Sequence, residues 1–102
     1  MTCLTAGEGG FYTARMDLKS AAGMILSESA AHPELLRTSR NAYEELAAGR
    51  EVDHSTLSWM LRETSRKGVF GPLKERYGDR AFEDMVVVLC REIDRQAPVV
   101  RH

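Results

Sequence analysis

The sequence predicts an all-α fold: a compact bundle of four main helices with a short connecting helix, preceded by a flexible N-terminal tail. Three observations carry that expectation. Apolar residues recur at the spacing of a helical turn in every long segment. Glycine and proline punctuate the chain into helix-length pieces. No stretch alternates with period two for long enough to make a strand. The run from Met85 to Cys90 looks strand-like in isolation, but Phe82 before it and Ile93 after it continue the helical spacing.

Residues 1–12 are small and glycine-containing, and read as a loose tail; residues 13–98 form a single helical domain, and residues 99–102 a frayed C-terminus. A first helix is expected from Thr13 to Ala31, where Leu18, Ala21, Ala22, Ile25 and Leu26 share a face. Its small residues Ser20 to Gly23 would admit a close neighbour, although a helical glycine costs about 1 kcal/mol relative to alanine. The second helix has Pro33 suited to its first position, Glu34 near the positive end of the dipole and Gly49 just past its end. Leu35, Leu36, Ser39, Ala42, Tyr43 and Leu46 line one side of it. A third helix begins under a cap from Asp53 or Ser55 and runs to Lys67, where Gly68 stops it. Pro72 opens the short connecting helix, Gly78 ends it, and Asp79 caps a last helix that finishes before Pro98.

With 102 residues, one domain is expected that buries a core without disulfide or metal staples. Cys3 and Cys90 lie far apart and form neither a metal-binding pair nor a disulfide framework, which fits a reducing cytoplasm. No apolar run approaches the roughly 20 residues that span a bilayer, and the first residues lack a signal-peptide pattern, so a soluble, unprocessed protein with no membrane partner is expected. The net charge of -1 gives no general attraction to nucleic acid. Its distribution is uneven: residues 62–80 carry six Lys/Arg against three Asp/Glu, and are the basic segment of the chain.

That segment raises the question of a DNA-reading helix-turn-helix. A recognition helix must be long enough to lie in the major groove, and Pro72 to Gly78 is barely two turns with Glu75 between Lys74 and Arg76, so a structural joint is the better reading. Trp59 falls away from Leu57, Met60, Leu61 and Thr64, on the side of Arg62, Glu63 and Arg66. Tryptophan and arginine often anchor protein interfaces. The competing reading packs Trp59 under a neighbouring helix with arginine stems at its rim. In the last helix Val87 lies on the side of Glu83, Arg91 and Asp94, so that helix is either enclosed by its own chain or packed on a second copy. A homodimer seam at Met85, Val87 and Val88 is the expectation.

Catalytic signals are weak. Cys90 sits among valines, where a thiol is inert, and His32, His54 and His102 have no ligand partner one turn away, so neither a catalytic site, a metal nor a cofactor is expected. The paired acids are solvated helix faces. The glycine-rich start lacks the strand and Lys-Ser/Thr of a phosphate loop. The sequence therefore points to a small cytoplasmic protein-interaction module, of adaptor or inhibitor type, that performs no chemistry and meets another protein through Trp59, Arg62, Arg66, Val69 and Phe70. The alternative is a small nucleic-acid-associated regulator that sets Arg62, Arg66, Lys67, Lys74, Arg76 and Arg80 on phosphates.

Overall fold

The computed structural model describes residues 16–97, which form five helices. These are α1 (Leu18–Ser27), α2 (Pro33–Ala47), α3 (His54–Arg66), α4 (Phe70–Tyr77) and α5 (Asp79–Gln96). No strand occurs among the described residues. The expected tail at 1–12 and the frayed end at 99–102 lie outside them.

Each long helix buries the stripe that its spacing defines. The core consists of Ala21, Ala22, Met24 and Ile25 from α1, Leu35 and Ala42 from α2, Leu57 and Met60 from α3, Leu73 from α4, and Phe82, Met85 and Leu89 from α5, joined by Val52 and Val69 from the connections. Helix α1 packs on α2 and α5, α2 on α3, and α3 on α5, so these four close a ring around the core, while α4 lies against α5. The small residues of α1 serve the closest of these approaches. A Cβ placed on Gly23 would stand 3.2 Å from the Tyr43 ring, so the face of α2 fits against a bare backbone.

Helix α1 is shorter than its sequence pattern at both ends. Asp17 caps it by accepting the N–H of Ser20 at 2.9 Å, so the helix starts after Asp17. It stops at Ser27, and its last carbonyls are met by tightened turns: the Glu28 N–H donates to the Ile25 carbonyl at 3.1 Å, the Ser29 N–H to that of Leu26 at 3.2 Å, and the buried Ser29 hydroxyl to that of Ile25 at 2.5 Å. Helix α4 begins at Phe70, two residues ahead of Pro72, which a first turn accommodates because its missing N–H would have no intrahelical partner there. Asp79 is the first residue of α5 and not its cap. The junction residue is Gly78 at φ +90°, a backbone region open to glycine, and this single residue joins α4 to α5.

Candidate functional site

Helix α3 presents three faces. Leu57, Met60 and Thr64 are fully buried, and the Thr64 hydroxyl is satisfied by the Met60 carbonyl at 2.6 Å. To one side of that face lies a cleft between α3 and the start of α2; to the other lies a groove between α3 and α5.

The cleft, of about 570 Å³, is walled by His32 and the first residues of α2, Pro33, Glu34 and Leu35, and by Trp59, Glu63 and Arg66 of α3 with Lys67 just past its end. Trp59 is half-buried and packs on the margin of the core. The Arg66 guanidinium donates to Glu63 at 3.0 Å, one turn back, so the cleft carries a neutralised pair beside the indole. The groove, of about 390 Å³, is apolar along its floor: Leu61 from α3, Val86 and Ile93 from α5, and Phe70 at the start of α4. Ser58, Ser65 and the exposed Arg62 complete its α3 wall. Phe70 is held there edge-on against Phe82, with ring centroids 4.9 Å apart.

The patch expected on α3 is thus divided. Trp59 and Arg66 line the cleft, whereas Arg62 and Phe70 line the groove. Leu61 turns from the expected core stripe to the groove, where it is half-buried. Val69 leaves the candidate surface altogether, being 2% exposed. The reason is the way α3 ends: Gly68 at φ +74° lets the Val69 N–H reach the Thr64 carbonyl at 2.9 Å and the Gly68 N–H reach that of Ser65 at 3.1 Å. In this helix stop the residue after the glycine folds back on the helix as an apolar plug. A valine directly after a helix-ending glycine was the signal that would have placed it inside.

The expected seam on α5 also changes. Met85 is fully buried in its own chain, and Val88 packs on the core margin. Helices α1, α3 and α4 pack around α5 and bury Met85 and Leu89 within the chain. Val87 is half-buried, opposite the stripe of Met85 and Leu89. Cys90, expected inside, is half-buried as well.

The basic segment is largely answered within the chain. Besides the Arg66 pair, Arg76 reaches Glu28 at 2.9 Å and Arg80 reaches Asp84 at 3.5 Å, while Lys74 sits over the Phe82 ring at 5.1 Å. Lys67 borders the cleft and Arg62 the groove. Helix α4, eight residues long, packs on α5 and is tied to α1 by the Tyr77 and Ser27 hydroxyls, 2.7 Å apart. Among the described residues, no three His, Cys, Asp or Glu side chains gather in a way that would hold a metal ion, and no helix is long and apolar enough to cross a membrane.

The described residues form five helices, with an apolar groove and a tryptophan cleft on the two flanks of one of them. No protein-family model matches the chain, and neither the curated proteins nor the solved structures hold a match to it.

Proposed function

We propose that this protein is an interaction module that binds another protein along α3 and performs no chemistry of its own. The observation that carries this reading is the α3/α5 groove, where Leu61, Phe70, Val86 and Ile93 line an opening at the surface of a folded core. Apolar side chains gathered at a surface and rimmed by polar ones suit the binding of another protein. Arginine and aromatic residues at such a place supply the large contact energies of interfaces. The nucleic-acid alternative has less to stand on. Three of its six cations, Arg66, Arg76 and Arg80, would have to exchange Glu63, Glu28 and Asp84 for phosphate, and Glu75 and Asp79 lie in the same segment to repel it.

The test is affinity capture from native lysate, nuclease-treated, at low and high salt, with wild type and Leu61→Glu as baits of matched helical circular dichroism. A discrete protein partner retained by wild type at both salts and lost by Leu61→Glu is the expected result. Equal capture by both baits, or capture of nucleic acid alone that vanishes as salt is raised, would overturn the reading.

A further inference from the structure

The side of α5 that faces away from the core carries a charge pattern of its own. At about 100° per residue, Arg80, Glu83, Val87, Arg91 and Asp94 fall in one stripe about 80° wide, opposite the buried Met85 and Leu89. Glu83 and Asp94 are exposed, and Val87 and Arg91 are half-buried. The Arg80 side chain, which reaches Asp84 of its own chain at 3.5 Å, is still 63% exposed. Of the seam expected on this helix, Met85 is in the core and Val88 on its margin, so Val87 is the residue that belongs to the outer stripe. The charges are placed evenly about it. Arg80 and Asp94 lie seven residues to either side of Val87, and Glu83 and Arg91 four, each pair of opposite sign. Such a stripe is its own complement when turned end for end. Two copies of α5 laid antiparallel across a two-fold axis at Val87 set Glu83 of each copy beside Arg91 of the other, and Arg80 beside Asp94. A slip of one turn in either direction loses this, because Val87 then faces Arg91 or Glu83 of the other copy.

We infer that the outer face of α5 is a self-recognition surface, on which a second copy of this chain docks antiparallel with Val87 at the symmetry axis. A two-fold contact uses the same patch on both copies, so the patch must match itself, and the sign pattern of this stripe does. None of its residues lines the groove or the cleft, so the inference stands apart from the partner-binding reading. One valine from each copy sits at the axis and exposed ion pairs surround it. The dimer is therefore weak, forms at high micromolar concentration and loosens with salt, and the charges act chiefly to fix the register.

The experiment is sedimentation equilibrium on the full chain, from about 10 µM to about 1 mM, in about 50 mM and about 500 mM salt. Wild type should pass from monomer to dimer across that range at low salt, with a dissociation constant at least about threefold higher at high salt. Glu83→Arg and Arg91→Glu each set like charges against each other on both sides of the axis, and each alone should raise the dissociation constant at least about tenfold. An equimolar mixture of the two variants should dimerise again, because the two changed residues then meet with opposite sign and so do the two unchanged ones. Recovery on mixing also shows that both variants are folded. Leu61→Glu, on α3, should dimerise as wild type does. A wild type that stays monomeric throughout would overturn the inference, as would a dimer indifferent to both charge reversals, a mixture that stays monomeric while both variants keep their helical circular dichroism, or a dimer lost in Leu61→Glu. Should either single variant lose its helical circular dichroism, the chain carrying both Glu83→Arg and Arg91→Glu decides in its place, a dimer supporting the inference and a monomer overturning it.

Discussion

Ser39 lies on the buried stripe of α2 with a fully enclosed hydroxyl that has no hydrogen-bond partner among the described residues. The two other fully buried hydroxyl residues differ from it, since Ser29 and Thr64 each donate to the carbonyl one turn back. A buried polar group left unpaired costs about 1–3 kcal/mol, and alanine is also the better helix former. Ser39→Ala should therefore stabilise the protein by about 1 kcal/mol, read as a higher urea midpoint with an unchanged slope; a lower midpoint would show that the hydroxyl is satisfied in solution. Trp59 belongs at this scale too. Half-buried at the core margin and forming one wall of the cleft with Arg66 beside it, it is compatible both with an interface anchor and with packing under a neighbouring helix. Trp59→Ala should cost about 1–3 kcal/mol, less than a fully enclosed tryptophan, because part of the ring faces open space. The loss should be the same at protein concentrations about 100-fold apart, measured by circular dichroism since the only tryptophan is gone. A shift that grows on dilution would place Trp59 at a contact between copies.

The ends of the helices set how the protein responds to acid. Asp17 caps α1 through the Ser20 N–H, and that bond holds its carboxyl below the ordinary aspartate range. Asp53 caps α3, and its carboxyl is lowered chiefly by the Ser55 hydroxyl at 2.8 Å, with the Thr56 N–H adding to it. Glu45 is lowered by the Arg50 side chain just past the end of α2, and Glu92 by Arg95, which also reaches Glu51 and so ties α5 to the loop before α3. All four hold a proton less tightly folded than unfolded. Their contribution is complete above the unfolded carboxylate range near pH 4 and is lost as pH falls through the folded values. The urea midpoint should be level between about pH 7 and pH 5 and decline below about pH 4. Replacing both caps, Asp17→Asn with Asp53→Asn, should flatten that decline while keeping the helices, since asparagine also caps. A midpoint that rises on acidification would contradict the assignment. Helix ends were also where the sequence was easiest and hardest to read. Pro33, Gly49 and Gly68 marked boundaries with a backbone reason behind each, whereas no glycine, proline or break in spacing marks the stop of α1 at Ser27.

For the molecule as a whole, the helical class and the order of the helices were legible because periodicity reports directly on which stripe is buried. Leu35, Ser39 and Ala42 on α2, and Leu57, Met60 and Thr64 on α3, lie on the inward faces that spacing alone assigns them. The surface was less legible. Helical angle places Trp59 and Arg62 on the same outer side of α3, but which neighbour each meets depends on α2 and α5 arriving on opposite flanks, a fact of packing. The apolar run of α5 was ambiguous for the same reason. A four-helix pattern does not say which helices pack on α5; α1, α3 and α4 all do, covering Met85 and Leu89, while Val87 lies half-buried on the opposite side.

That position of α5 bears on how the protein is made. Synthesis delivers α1 and α2 first, and their local contact forms as a hairpin of helices as soon as both are available. The faces of α1, α3 and α4 that pack on α5 have nothing to close against until residues 79–96 emerge from the ribosome. Closing the ring joins segments at opposite ends of the described chain, the kind of long-range contact that slows folding relative to a bundle built only of neighbours. Until then the apolar faces that α5 covers are open, and that is the state in which chaperones and proteases have most to recognise.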